Sequence, residues 1–126
     1  MKLIARIATF ALCLAATAAG ALEIQSYTPK ALASAQAANK PVALHFHADW
    51  CPACRAQAEA LGMLEADRKL DVTVFVVDYD REKELRRALG VRSQSPFVVF
   101  RGKAERARLA GDTSAARIEA ALRAAL

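Results

Sequence analysis

Apolar and polar residues follow recurring patterns along the chain, and several of these patterns predict β-strands. The segment PVALHFHA, residues 41–48, alternates as a short strand does. The alternation divides six side chains between two faces, with Val42, Leu44 and Phe46 on one and Ala43, His45 and His47 on the other. The β-branched and aromatic run VTVFVVD, residues 72–78, is typical of a strand buried on both faces. SPFVVF, residues 95–100, predicts another strand, which turns through residues 101–103 into a more polar partner at 104–109.

Helical patterns separate these strands. Thr28 and Pro29 are typical of an N-cap and a first turn, and they predict a helix to about Asn39. The segment from Cys51 to about Arg68 is rich in helix-forming residues. Asp80 is expected to cap a helix that Gly90 ends. A last amphipathic helix is predicted over residues 114–125, with its inward face formed by Ile118, Ala121, Leu122 and Ala125.

The predicted order of elements is β-α-β-α-β-α-β-β-α, with a short first strand. Strands joined by helices are parallel, whereas the two strands joined by a tight turn are antiparallel. The order therefore predicts an α/β fold in which a central mixed β-sheet carries α-helices on both faces.

The first 21 residues have the layout of a secretory signal peptide. Lys2 and Arg6 precede an apolar run that extends from residue 7 to about residue 19, and Ala19-Gly20-Ala21 offers a cleavage site. The run is shorter than the roughly 18 residues of a membrane span. We therefore expect a protein exported to the periplasm or beyond, with membrane anchoring by an uncleaved signal as the alternative. Residues 22–126 would then form one domain.

The charge of the chain is mildly basic. The full sequence carries 18 basic and 13 acidic residues, for a net charge of +5. Loss of Lys2 and Arg6 with the signal peptide lowers this to about +3, and the remaining arginines are spread along the chain. This balance does not indicate nucleic acid as a partner.

The stretch HFHADWCPACRAQ, residues 45–57, concentrates the rare and reactive side chains of the chain. Cys13 lies inside the signal peptide, so Cys51 and Cys54 would be the only cysteines of the exported domain. Cys51 begins a predicted helix, where unpaired N–H groups and the helix dipole stabilise a thiolate, so it is the expected nucleophile. Cys54 follows one turn later and is expected to be less exposed and to resolve the mixed disulfide.

With ADWCPAC at a strand-to-helix junction, Ser95-Pro96 at the start of a later strand and Gly111 before the last helix, the sequence resembles the thioredoxin family over about residues 22–126. The resemblance implies a thioredoxin fold and a monomer that exchanges disulfides with protein substrates and uses no organic cofactor. It also implies a cis bond between Ser95 and Pro96, and a substrate surface formed by Trp50, Ser95 and Pro96. A reductant outside the cytoplasm would need a membrane redox partner.

The chain departs from thioredoxins beneath the cysteines. Relative to that family, His45 replaces a buried aspartate, Val76 replaces the lysine that partners it, and His47 replaces a tryptophan. His45 is therefore a candidate proton acceptor for Cys54, and a cationic His45 would also stabilise thiolate. The alternative is a neutral core histidine hydrogen-bonded to a backbone carbonyl.

The same residues suggest a second function. His45, His47, Cys51 and Cys54 offer two nitrogen and two sulfur ligands that suit zinc or copper, as in a metallochaperone. Against this function, ligands divided between a strand and a helix start are expected to lie too far apart for a tetrahedral site, and the spacing matches no familiar zinc module. A purely structural disulfide is the third alternative, although so short a loop removes little chain entropy. Whether the pair oxidises or reduces its clients is open, because known dithiols span about −120 to −270 mV.

Overall fold

The computed structural model describes residues 20–92 and 96–126, and the order of its elements confirms the sequence-based prediction. The five strands are β1 (Glu23–Ser26), β2 (Pro41–His47), β3 (Thr73–Asp78), β4 (Pro96–Arg101) and β5 (Ala104–Ala110). The four helices are α1 (Pro29–Ala37), α2 (Pro52–Leu64), α3 (Lys83–Ala88) and α4 (Ala115–Arg123).

The strands form one mixed sheet in the order β1-β3-β2-β4-β5. β1, β3 and β2 run parallel to one another, and β4 pairs antiparallel with both β2 and β5. β2 is therefore the central strand, and His45 in it lies opposite Val76 of β3 and Phe97 of β4. Because β2 leads directly into the loop before α2, both cysteines lie at the middle of the sheet and not at its edge.

The alternation of side chains predicted for β2 is confirmed, because its residues contribute to two hydrophobic cores on opposite faces of the sheet. On one face, Ala43 packs with residues of α2 and α4, including Leu61 and Ile118. On the other face, Leu44 and Phe46 pack with residues of α1, with Leu85 of α3 and with Leu89 at its C-cap. Helices thus cover both faces of the sheet, as the order of elements predicts.

Side-chain caps fix the starts of the first and last helices. Thr28 Oγ1 accepts a hydrogen bond from Ala31 N at 3.1 Å, as predicted for α1. Ser114 is the corresponding cap of α4. α2 is shorter than predicted, since it ends at Leu64.

The prediction that Asp80 caps α3 is wrong. α3 begins at Lys83, after Glu82, whose side chain makes no capping hydrogen bond. The carboxylate of Asp80 instead accepts a hydrogen bond from Trp50 Nε1. Asp78 organises this turn, because its Oδ1 accepts hydrogen bonds from Asp80 N and Arg81 N, each at 3.0 Å.

Two predictions lie outside the described residues. Most of the predicted signal peptide lies within residues 1–19, and Ser95 with its bond to Pro96 lies at the segment 93–95. Both stay predictions. Within residues 20–92 and 96–126, no helix is long and apolar enough to cross a membrane.

We predict that Leu61→Ala destabilises the fold far more than Met63→Ala, although both residues lie in α2. Leu61 is 1% exposed inside the core between α2 and α4, whereas Met63 is 66% exposed. Urea denaturation is expected to show a loss of about 2–5 kcal/mol for the first variant and a change within about 0.5 kcal/mol for the second. Equal losses would mean that this face of α2 is not the buried one.

Candidate functional site: the cysteine pair and the buried histidine

Cys51 is the N-cap residue of α2, at the point where the central strand passes into the helix. Its backbone is extended, with φ −93° and ψ 113°, and its Sγ accepts a hydrogen bond from Cys54 N at 3.3 Å. Pro52 occupies the first helical turn, where its missing N–H leaves no hydrogen bond unmade. A sulfur atom at this position receives both an N–H donor and the positive end of the helix dipole, which stabilise a thiolate.

Both cysteines are buried. Cys51 is 2% exposed and Cys54 is 1% exposed, so the clear difference in exposure expected between them is not seen. Cys54 Sγ lies 3.9 Å from the carbonyl oxygen of Phe46 in β2, within hydrogen-bonding distance for sulfur. The two side chains form a small buried cluster with Ala48, and Tyr79 packs against it. A client disulfide would therefore have to approach closely to reach Cys51.

Trp50 forms an exposed surface directly before the cysteine pair. Its side chain is 53% exposed, yet Nε1 donates a hydrogen bond to Asp80 Oδ2 at 2.8 Å. Its ring also meets Tyr79 edge to face at 6.5 Å between centroids, and the Arg86 guanidinium lies 4.0 Å from the centre of the Tyr79 ring. These contacts hold a large apolar ring in one place beside the thiols, which suits a substrate surface.

A surface cleft of about 500 Å³, lined in part by Trp50, lies where the parallel strands β1, β3 and β2 end. Acidic side chains line much of it, namely Asp49, Asp78, Asp80 and Glu82. Tyr27 also lines the cleft, and burial, together with the nearby Glu82, raises the pKa of its phenol. The cleft therefore presents a neutral hydroxyl and several carboxylates beside Trp50, the residue before Cys51.

His45 is fully buried beneath the start of α2 and is 0% exposed. Its Nε2 lies 3.0 Å from Gln57 Oε1, and its ring stacks on Phe97 with centroids 4.4 Å apart. Burial lowers the pKa of His45 to about 4, the Gln57 hydrogen bond opposes this shift, and the nearby His47 adds to it. His45 is therefore neutral near pH 7, which argues against a cationic role in stabilising thiolate, and its partner is a side-chain amide instead of the backbone carbonyl considered above.

Gln57 is the site residue that the sequence analysis missed. It is fully buried, and its Nε2 donates a hydrogen bond to the carbonyl oxygen of Asp112 at 2.8 Å. A signal for it was present, because residues 54, 57, 61 and 64 share one helical face and the other three are apolar. A glutamine within such an apolar stripe needs polar partners, and a buried histidine is a natural one.

His47 faces a different environment from His45. Its Nε2 lies 2.9 Å from Asp49 Oδ1, whose side chain is fully exposed, and its ring lies 5.5 Å from that of His45. His47 therefore links the buried part of the site to the acidic cleft.

The described residues contain no group of three or more His, Cys, Asp or Glu side chains arranged to hold a metal ion. All four members of the proposed zinc or copper set, residues 45, 47, 51 and 54, lie within the described part of the chain. The two histidines instead have nitrogen atoms engaged by Gln57 and Asp49. The geometry thus gives no support to the metal-binding alternative.

We predict that the buried His45 lowers the stability of the fold in acid. Above about pH 6.5 the ring is neutral in both the folded and the unfolded states, and the full stability is present. As the pH falls from 6.5 to 4, only the unfolded state takes up the proton, so the free energy of unfolding falls, by about 3 kcal/mol at pH 4.

Urea denaturation at pH 7 and pH 4 checks this prediction. His45→Gln is expected to lose less stability over this interval than the wild type, because an amide does not titrate. His47→Gln is the matched control and should lose as much as the wild type. If all three proteins lose the same amount, His45 is not the source of the acid sensitivity.

Comparison with known proteins supports the fold described above. The thioredoxin family model matches residues 23–124 of the chain. Thioredoxin from Mycobacterium bovis is 35% identical over 63 residues, which cover 50% of this chain and 54% of that protein. Thioredoxin H-type from Brassica campestris is 32% identical over 80 residues, or 64% of each protein. The chain thus spans from about half to just under two thirds of the length of these relatives.

A solved structure matches over a larger share of both chains. Trxlp from Edwardsiella tarda superposes with a TM-score of 0.74 and is 33% identical, over 79% of this chain and 98% of that chain. The family match covers the strand-to-helix junction with its two cysteines, the mixed sheet and the last helix. This chain belongs to the thioredoxin family.

Proposed function

We propose that this protein is a thiol–disulfide oxidoreductase that exchanges disulfides with protein clients through Cys51 and Cys54. The observation that carries the proposal is the position of Cys51 at the start of α2, where its Sγ accepts the Cys54 N–H at 3.3 Å. Membership of the thioredoxin family supports the same function. The intervening Pro52-Ala53 carries no charge, so the local charge that favours a thiolate comes from the helix end.

The reaction proceeds in two exchanges. The Cys51 thiolate attacks a client disulfide, so that a Cys51–client disulfide forms, the client S–S bond breaks, and one client sulfur leaves as a thiolate and takes up a proton. Cys54 then loses its proton and attacks Cys51 Sγ, which forms the Cys51–Cys54 disulfide and releases the second client sulfur. The client gains two electrons and the cysteine pair loses two. The reverse sequence oxidises a client dithiol.

Client binding is assigned to the surface around the pair. The exposed ring of Trp50, fixed by Asp80, supports a role in contacting the client chain. Pro96 begins β4 opposite Ala110, and the resemblance to thioredoxins supports a client-binding role for it and for Ser95. We therefore assign Trp50, Ser95 and Pro96 to the client surface.

His45 is assigned the role of proton acceptor for Cys54 in the second exchange. A neutral imidazole can accept a proton, and burial keeps this ring neutral near pH 7. Burial also makes it a weak base, so the proton moves to the ring as the Cys54 sulfur attacks and not in a separate step before it.

The protein is further proposed to act outside the cytoplasm. Residues 1–21 carry the signal-peptide pattern, and residues 22–126 carry the thioredoxin-like domain. A disulfide-exchanging protein is suited to such a compartment, since disulfides persist there. If it acts as a reductant, it needs a membrane redox partner that supplies electrons.

We predict that Cys54→Ser accumulates a mixed disulfide that the wild type releases. Without the resolving sulfur, the disulfide between Cys51 and the client can be broken only by an external thiol. Mass analysis after incubation with insulin is expected to show a stable adduct for Cys54→Ser. Cys51→Ser is the matched control and should form far less adduct. Equal adduct on both variants would contradict the assignment of Cys51 as the nucleophile.

We also predict a reversible two-electron transition when the protein without residues 1–21 is titrated in glutathione buffers. The emission of Trp50, the only tryptophan, follows the transition, and trapping of thiols with mass analysis counts the cysteines involved. The midpoint assigns the protein as a net oxidant or reductant. Added zinc or copper should leave the curve unchanged, whereas a dithiol that binds metal tightly and resists oxidation would establish the metal-binding alternative.

A further inference from the structure

The amide of Gln57 is oriented by its hydrogen bond to Asp112. The Asp112 carbonyl oxygen lies 2.8 Å from Gln57 Nε2 and can only accept, so the NH₂ end of the amide must face it. The oxygen end, Oε1, therefore faces His45 Nε2 at 3.0 Å. An amide oxygen has no proton to donate, so His45 Nε2 must carry the hydrogen of this bond.

This arrangement selects one tautomer of His45. The ring is neutral near pH 7, so a proton on Nε2 leaves Nδ1 with a lone pair. Nδ1 is buried and has no hydrogen-bond partner among the described residues. The stacking contact with Phe97, at 4.4 Å between centroids and 7° between planes, fixes the plane of the imidazole ring. A buried acceptor without a partner is destabilising, and such a group calls for a functional explanation.

The second cysteine belongs to the same contact between α2 and β2. Cys54 precedes Gln57 by three residues, so both side chains leave the same face of α2. Cys54 Sγ lies 3.9 Å from the carbonyl oxygen of Phe46, the residue that follows His45 in β2. The helix α2 therefore contacts β2 at two successive strand residues: Gln57 contacts His45, and Cys54 contacts Phe46.

We propose that Gln57 is a positioning residue, which holds His45 as the Nε2–H tautomer so that Nδ1 is the atom that accepts the Cys54 proton. The proposal rests on the proposed function and deepens it. In the second exchange the Cys54 S–H bond breaks and its proton goes to Nδ1. The Cys54–Cys51 bond forms with the electron pair left on Cys54 sulfur, and the Cys51–client bond breaks with its electron pair on the client sulfur. The imidazolium then gives its proton to the departing client thiolate, directly or through solvent.

The first measurement is the tautomer itself, read from the ¹⁵N signals of labelled histidine in the full domain. In the wild type, His45 should carry hydrogen on Nε2. In Gln57→Leu the oxygen acceptor is lost, and the Nδ1–H form should become populated. Gln36→Leu, the same substitution in α1 away from the site, is the matched control and should leave the wild-type signals unchanged.

The second measurement separates the two exchanges with glutathione disulfide as the probe. Acid quenching and mass analysis count the Cys51–glutathione adduct while the reduced protein is converted to the Cys51–Cys54 disulfide. Gln57→Leu should accumulate at least roughly tenfold more adduct than the wild type, because general-base catalysis contributes about 10²–10⁴-fold to such steps. In a Cys54→Ser background, which reports only the first exchange, Gln57→Leu should not change the rate of adduct formation.

Gln57→Glu provides an independent test if the leucine variant does not fold. A carboxylate keeps the acceptor and the Nε2–H tautomer, and its charge raises the pKa of His45. Adduct should then accumulate as the pH falls through the raised pKa, since a protonated Nδ1 cannot accept. The apolar neighbours of this region are Phe97 on β4 and Val76 on β3. The titratable and charged groups that face it are His47 on β2, Cys54 in α2, Cys51 at the N-cap of α2, and Asp112 with its ion-pair partner Arg117. His47→Gln in the same background controls for the nearest of them.

Each outcome decides the proposal. A wild-type ring with hydrogen on Nδ1, or an unchanged tautomer in Gln57→Leu, overturns it. A changed tautomer with no extra adduct overturns the link between Gln57 and proton transfer. These results test the second exchange, in which Cys54 attacks the adduct. The oxidoreductase function is tested by the first exchange, and it would be contradicted only if Cys51 of the wild type did not react with glutathione disulfide.

Discussion

The site depends on one short hydrogen bond, from Cys54 N to Cys51 Sγ at 3.3 Å, which makes a sulfur atom the cap of α2. A helix start normally takes an oxygen from Ser, Thr, Asp or Asn at this point. Using a thiol places the nucleophile where backbone donors are unpaired, so no charged side chain is needed to stabilise its thiolate. The position of α2 is also fixed by β2. This strand is the central one of the sheet, and the chain passes from its last residue, His47, through a short loop into α2.

Beneath the cysteines, the interior of the protein holds a neutral polar pair, His45 and Gln57. His45 and Gln57 are both fully buried, and the hydrogen bonds from His45 to Gln57 and from Gln57 to Asp112 join β2, α2 and the loop before α4. Burying an ion pair carries a large desolvation cost, whereas a histidine–amide pair needs only its hydrogen bonds. The histidine–amide pair therefore keeps this part of the interior polar without placing a formal charge in it near pH 7.

The sequence predicts those features that depend on the periodicity of apolar residues and on the chemistry of neighbouring residues. The alternation around His45 places its ring on the face covered by α2, and Thr28 caps α1 as its spacing indicates. The prediction fails where a long-range partner decides the outcome. Asp80 could have capped a helix, but Trp50, 30 residues earlier, takes its carboxylate. Gln57 escaped notice for the same reason, because its partners are 12 and 55 residues away and only the folded chain brings them together.

The sulfur cap of α2 also links the oxidation state of the cysteine pair to the stability of the first turn of the helix. Free energy is a state function, so any amount by which the helix end favours the Cys51 thiolate is an equal amount by which the thiolate favours the helix end. Forming the disulfide removes the negative charge and with it this contribution. The first turn of α2 is thus stabilised by electrostatics in the reduced protein and by a covalent bond in the oxidised one. Each redox cycle therefore replaces an electrostatic restraint on this helix end with a covalent one and then restores it.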